Sequence, residues 1–323
     1  MVRVNGQLFA IPGTEILQPS ELEAMLTPLL NSQQKQIFDT NWELDFSLEF
    51  SSVRFRVNYY KQKSHPAASF RLIPARIPTL EEIGLPEVVK KMTDLRQGFI
   101  LVTGPTGHGK STTLAAFINT INQSKSAHIV TIEDPIEYVY PAGKSLISQR
   151  EMYNDTKSWA NSLKASLRED PDVVLIGEMR DLDTMSSAMT IAETGHLVFA
   201  TLHTNSAAQS IDRIIDAFPE SQQPQIRLQL SFTMEAILSL RLIPTITPGR
   251  TLACEILFAS NGVRNIIREG KTHLLDNLIQ TSGELGMISL ENSLANLVKK
   301  GSISAEVAME YTLKPELLSK LLK

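Results

Sequence analysis

One stretch of the sequence, Gly104, Pro105, Thr106, Gly107, His108, Gly109, Lys110 and Ser111, has the residue types and spacing that hold phosphate. Its glycines let successive backbone N–H groups turn inward onto phosphate oxygens. Lys110 can reach the β- and γ-phosphates, and the Ser111 hydroxyl is a ligand for Mg²⁺. Thr112 continues the run into the first turn of a predicted helix, whose positive end points the same way. A glycine-rich turn that binds nothing is the plainer alternative. The predicted strand before it and helix after it favour a P-loop that takes ATP with Mg²⁺.

A P-loop also needs a group that orients the attacking water. The run from Leu167 to Asp181 ends a hydrophobic strand on Glu178, beside Arg180 and Asp181. A carboxylate at the carboxyl end of a buried parallel strand lies next to the phosphate site, so Glu178 is the candidate general base. Such strands commonly carry an Asp just before that Glu, and here Gly177 stands instead. Another acid could then hold the metal's water shell. Glu133, Asp134 and Glu137 are the candidates, with solvent-facing loop charges as the alternative. His203, with Thr201 and Thr204, falls at the carboxyl end of the next strand and could sense the γ-phosphate. His196, at the other end, is as well explained by structural hydrogen bonding.

These residues need a scaffold, and the pattern around them supplies one. Apolar runs at Phe99–Thr103, His128–Ile132, Val173–Ile176 and Leu197–Leu202 are apolar on successive residues, as in strands buried on both faces of a parallel sheet. Stripes at Leu114, Phe117, Ile118, Ile121 and at Ile211, Ile214, Ile215, Phe218 predict covering helices. A last strand is expected near Leu252–Phe258, then mostly helix. Before Arg76 the pattern is a small α+β unit. Val53, Phe55, Val57 and Tyr59 alternate with Arg54, Arg56 and Asn58, and Ser69–Ile73 places Arg71 opposite Phe70 and Leu72. Between them come Pro74, Pro78 and Pro86, with a short helical stretch that Thr79 and Glu82 would box. The expected division is 1–76, a linker over 77–97, a core over 98–260 and a helical region over 261–323.

Composition narrows the classes. A net charge of −4 over 323 residues lacks the basic footprint of a nucleic-acid binder. The single cysteine, Cys254, cannot build a disulfide framework or a cysteine zinc site. No apolar run approaches membrane-spanning length and no signal-peptide core opens the chain, so a cytoplasmic protein that reaches membranes by docking is expected.

The stretches together resemble the type II/IV secretion and pilus motor ATPases. Leu167 through Asp181 looks like that family's signature, Thr131 to Glu137 like its acidic box, and Glu193 to Thr204 like its histidine box. They follow the P-loop in family order, and the resemblance runs from Met1 to about Thr312. Within the family the chain is most similar to type IV pilus retraction ATPases, through Gly262-Val-Arg-Asn-Ile-Ile-Arg-Glu269. Extension and type II secretion relatives usually carry a four-cysteine module. Relatives usually have Ser where this chain has His108, a variable position where no loss of binding is expected. Met1 to Gly6 lines up with an internal stretch of the family's first domain, so an opening helix and strand are expected to be absent.

The resemblance implies an α/β protein: an N-terminal PAS-like α+β domain, then a RecA-like P-loop ATPase domain with a helical C-terminal part. It implies a homohexamer that hydrolyses ATP and drives pilus retraction and twitching motility. Arg54, Arg56 and Arg71 would reach a nucleotide held by the neighbouring subunit; a solvated basic sheet face is the alternative. The implied partners are an inner-membrane platform protein and the rest of the pilus machinery, which would hold the cytoplasmic ring peripherally at the inner membrane. A secretion ATPase, a nucleic-acid translocase and an accessory subunit working with an active paralogue are the competing readings.

Overall fold

In the computed structural model the chain forms two compact units, Met1–Pro74 and Ala75–Lys323. The structure describes every residue except Asn5, Gly6, Ser52 and Pro74. Two residues of the opening segment that resembles an internal family stretch, Asn5 and Gly6, and the first linker proline therefore lie outside the described residues.

The first unit opens with a two-stranded antiparallel ladder, β1 (Val2–Val4) and β2 (Gln7–Phe9). Helices Pro19–Leu26 and Ser32–Asn41 follow, then an antiparallel sheet of β3 (Glu43–Phe50), β4 (Val53–Gln62) and β5 (His65–Ile73). Strict alternation sends Val57 and Tyr59 into a small core with Leu44, Phe46 and Leu26. Arg54 and Arg56 point to the other face, and Arg71 lies directly opposite Arg56 on β5. All three arginines therefore share that face. β3 was not anticipated, although Glu-Leu-Asp-Phe-Ser-Leu-Glu-Phe alternates polar and apolar residues as strictly as β4 does.

The second unit is built on seven strands in the order β12-β11-β6-β10-β9-β7-β8. These are β6 (Gly98–Thr103), β7 (His128–Glu133), β8 (Leu146–Glu151), β9 (Val173–Ile176), β10 (Leu197–Leu202), β11 (Met234–Pro244) and β12 (Arg250–Phe258). All neighbours pair in parallel except β11 and β12. The chain is thus a mixed α/β protein with a large, mainly parallel sheet. Every residue of β6, β9 and β10 is buried, which is why these strands read as unbroken apolar runs.

Helices cover both faces. Leu114, Phe117, Ile118 and Ile121 of helix Lys110–Ser124 fill one side. Ile211, Ile214 and Ile215 of helix Ala207–Asp216 pack on the other, together with helices Leu182–Glu193 and Gln223–Thr233. Residues 77–97 belong to this unit, where Leu80, Leu85, Val89 and Met92 enter the core beneath the sheet. Thr79 and Glu82 do exchange the two boxed hydrogen bonds, at 2.9 and 3.2 Å. They close a turn that ends at Gly84 (φ +82°), not the short helix expected. Beyond β12 helices Asn261–Glu269, Leu275–Thr281, Leu290–Lys299, Ala305–Tyr311 and Pro315–Leu321 complete the chain. Among the described residues no helix is long and apolar enough to cross a membrane.

Candidate active site

The sheet order sets the carboxyl ends of β6, β10, β9 and β7 side by side, and the candidate residues leave from those ends. β6 finishes at Thr103, whose Oγ1 donates to Ser239 Oγ on β11 at 2.8 Å. The next residue, Gly104, takes φ +140°, and a Cβ there would meet the Leu240 carbonyl oxygen at 2.6 Å, so only glycine fits. Gly107 and Gly109 also adopt left-handed backbone (φ +80° and +89°), which folds the loop back before helix Lys110–Ser124 starts.

Lys110 Nζ lies over this loop, donating to the carbonyls of Gly104 at 2.7 Å and Pro105 at 3.0 Å. Burial lowers its pKa, and the charges of Glu178 and Glu137 oppose that shift. Ser111 is exposed on the first helical turn, and the Thr112 hydroxyl meets Tyr138 Oη at 3.0 Å. His108 does more than occupy a free position. Its Nδ1 accepts the Leu242 N–H at 3.0 Å, tying the loop to β11 beyond the reach of β6.

The next two strands deliver a second pair of groups. Gly177 N donates to the Ile132 carbonyl at 2.8 Å, and Thr201 Oγ1 donates to the Gly177 carbonyl at 2.6 Å. Glu178 is therefore held by β7 on one side and β10 on the other. Its Oε1 lies 3.1 Å from His203 Nε2, and its Oε2 accepts from Arg180 Nη2 at 2.9 Å. Burial pushes its pKa up, but the Arg180 hydrogen bond and the positive charges around it, Arg180 and Lys110 among them, outweigh that, leaving it below the usual carboxylate value. Glu178 is ionised near neutral pH. With its proton on Nε2, His203 donates to Glu178 and turns the Nδ1 lone pair toward Lys110 Nζ (3.4 Å) and Thr106 Oγ1 (3.3 Å).

The three acids at and after the end of β7 separate. Glu133 accepts from Thr131 Oγ1 at 2.7 Å and Gln149 Nε2 at 3.3 Å, and burial pushes its pKa up to about 7. Asp134 places its charge by Arg180, and Glu137 places its charge by Lys110. Gly177 has a packing reason to lack a side chain: a Cβ would sit 3.2 Å from the Ile132 oxygen and 3.3 Å from Glu133 Cα. Among the described residues no three His, Cys, Asp or Glu cluster to hold a metal alone. The Ser111 hydroxyl and nearby carboxylates are hard oxygen donors, too few for a protein cage. That donor set fits Mg²⁺ bound mainly through substrate phosphates and water.

Other candidates lie elsewhere. His196 Nδ1 contacts the Ile191 carbonyl at 3.0 Å and Thr194 Oγ1 at 3.1 Å, about 20 Å along β10 from His203. It closes the preceding helix. In the first unit Arg54 donates to Ser47 Oγ at 2.8 Å, and Arg56 lies 3.8 Å from Asp45. Sequence reasoning passed over Arg241 and Glu255, both buried. A charge with apolar neighbours on each side, as in Ser-Leu-Arg-Leu-Ile and Ala-Cys-Glu-Ile-Leu, was the available signal.

A strand-terminal P-loop, a carboxylate two strands away and a histidine between them define a nucleotide-hydrolysing motor of the secretion type. The chain belongs to the Type II/IV secretion system protein family, whose model matches residues 36–306. Among its relatives is the type IV pilus retractation ATPase PilT of Pseudomonas aeruginosa, 46% identical over 317 residues, which are 98% of this chain and 92% of that protein. The twitching motility protein of Neisseria gonorrhoeae is 46% identical over 321 residues, 99% of this chain and 86% of that one. A crystal structure of the pilus retraction motor PilT with bound ADP superposes with a TM-score of 0.85 at 47% identity, over 92% of this chain and 85% of that chain.

Proposed function

We propose that this protein is an ATP-hydrolysing motor that drives type IV pilus retraction and twitching motility. The observation that carries the hydrolysis is the continuous chain Lys110–His203–Glu178, which crosses the carboxyl ends of three adjacent strands, and the likeness to the PilT retractation ATPase supports the pilus. Backbone N–H groups from Thr106 to Ser111 bind the phosphates, while Lys110 exchanges its carbonyl partners for phosphate oxygens. Ionised Glu178 orients a water and accepts its proton as the water oxygen bonds the γ-phosphorus. The bond to the bridging oxygen breaks, and that oxygen leaves with ADP. His203 reports whether a γ-phosphate is present to both Lys110 and Glu178. Bound Mg²⁺, held by Ser111 with Glu133 or Asp134 acting on its water shell, would neutralise charge on the phosphates.

In this reading residues 1–76 form a PAS-like domain, 98–260 a RecA-like core and 261–323 a helical region, with 77–97 between the first two. Six copies form a ring in which Arg54, Arg56 and Arg71 act on a neighbour's nucleotide. The ring sits in the cytoplasm and meets the inner membrane through a platform protein of the pilus machinery, where a paralogous ATPase could join it.

The test is phosphate release from Mg-ATP by wild type, Glu178→Gln and Lys110→Ala proteins. Glu178→Gln should bind nucleotide and lose about 10²- to 10⁴-fold in turnover. Lys110→Ala should lose nucleotide binding itself. Turnover of Glu178→Gln at the wild-type rate would remove the carboxylate from the mechanism. A gene-deletion strain that still twitches would move the cargo from pili to secretion.

A further inference from the structure

His203 is carried by four residues, His203 to Ser206, between the end of β10 and helix Ala207–Asp216. The distal end of that segment is gripped from β11 and β12. Glu255 Oε1 accepts the Ala207 N–H at 2.7 Å, and Arg241 Nη2 lies 3.4 Å from the Asn205 carbonyl oxygen. Both side chains are 6% exposed. Taking a charge out of water costs more than a helix cap returns. This helix already has one in Ser206, whose Oγ accepts from Gln209 N at 3.2 Å. Helix stability alone does not account for two buried ionisable groups here.

Register explains what they do. Glu255 on β12 stands opposite Ser239 on β11, which stands opposite Thr103 on β6 and accepts its hydroxyl. Thr103 is the residue before Gly104. One level of the sheet therefore carries both the root of the P-loop and the grip on the His203 segment. Burial holds the Glu255 pKa up, to about 7, and pulls that of Arg241 down against the pull of Glu255.

We propose that Glu255 and Arg241 are positioning residues: by holding the Ala207 amide and the Asn205 carbonyl they set where the His203 imidazole meets Glu178 and Lys110. The inference rests on the ATPase reading and on His203 as its γ-phosphate sensor. Its test compares wild type with Glu255→Ala, Glu255→Gln, His203→Ala and the Glu255→Ala/His203→Ala double variant. Phosphate release is measured, together with affinity for ADP and for a nonhydrolysable ATP analogue.

Glu255→Ala should lower kcat by about ten- to a hundredfold, as small misplacements do. It should also lower the preference for the ATP analogue over ADP, while ADP affinity stays unchanged. In the His203→Ala background it should add nothing, since a residue that acts through another is non-additive with it. Glu255→Gln should recover most of the turnover, because its amide oxygen still accepts the Ala207 N–H. Arg241→Met gives a second reading should Glu255→Ala fold poorly, and it too should be silent without His203. Additive losses, or equal losses of ADP and ATP-analogue affinity, would overturn the proposal. Wild-type protein that releases no phosphate would overturn the hydrolysis reading, and the analogue-to-ADP preference would then decide this one.

Discussion

His108 shows how one side chain can matter at a position the P-loop pattern leaves open. Its Nδ1 accepts the Leu242 N–H, which requires an unprotonated nitrogen. Burial holds its pKa below the ordinary histidine value, with help from the Arg241, Lys110 and Arg250 charges. Because the folded-state pKa is depressed, the bond is present above the ordinary histidine pKa and is lost as pH falls through the depressed one. Non-titrating His108→Asn keeps an acceptor. Its melting temperature should fall less than wild type's between pH 7 and pH 5, by about 2–4 °C for a bond worth about 1 kcal/mol. Parallel melting curves would show that the bond does not couple to pH. Gly177 makes the reverse point, since a Cβ there would press on the Ile132 carbonyl and the Glu133 backbone. Gly177→Asp should destabilise the protein by about 1–3 kcal/mol in urea unfolding, as overpacking against fixed backbone does. Unchanged stability with tighter Mg²⁺ binding would restore the vacant Asp as a functional departure. The P-loop and Glu178 were legible because their chemistry is local: few residue types do these jobs and their spacing is short. Glu255 and Arg241 were not, because their partners lie more than thirty residues away in sequence.

At the scale of elements, the parallel strands were legible for a physical reason. Burial on both faces removes polar residues from β6, β9 and β10, and a short apolar run before a turn is all that is left. Two strands of that sheet escaped. β8, Leu-Ile-Ser-Gln-Arg-Glu, is an edge strand whose polar residues face partners such as Glu133 and Glu169. β11 begins Met-Glu-Ala-Ile-Leu, good helix formers that only its neighbours β6 and β12 hold extended. The segment Gly262 to Glu269, which carries the resemblance to retraction motors, also resolves into unlike parts. Arg264 Nη1 donates to the Ser231 and Phe232 carbonyls at 2.8 and 2.9 Å, and its Nη2 to Glu235 at 2.7 Å. It caps the C-terminus of helix Gln223–Thr233 and satisfies carbonyls the helix leaves over. Among the described residues Arg268 donates to Asn265 on its own helix, at 3.0 Å, and its charge lies by Glu269. Arg264→Ala should therefore cost about 2 kcal/mol in urea unfolding. Arg268→Ala should stay within about 0.5 kcal/mol, leaving that guanidinium for a partner. Equal losses would refute the division of labour.

At the scale of the whole molecule, the arginines of the first unit ask for an explanation beyond their own sheet. Arg56 and Arg71 stand directly opposite each other, and like charges so placed destabilise a strand pair. Asp45 lies 3.8 Å from Arg56 on the neighbouring strand. Asp45 and Glu49 share that face with the three arginines, and under the ring reading the guanidiniums turn to the anion a neighbour brings, its nucleotide. The chain's two essential parts would then belong to different subunits of each site. Lys110→Ala protein has intact arginines, and Arg54→Ala/Arg56→Ala/Arg71→Ala protein has an intact P-loop; each should be inactive alone. Co-expressed in equal amounts, they should regain activity, because a heterologous interface can join an intact P-loop to intact arginines. Random mixing gives that pairing at about one interface in four. Turnover up to about a quarter of the wild-type value is therefore the ceiling, and coupling between sites would lower it. Arginines that served the P-loop of their own chain would give no recovery at any mixing ratio. Arginines with no part in hydrolysis would leave the triple variant active before any mixing.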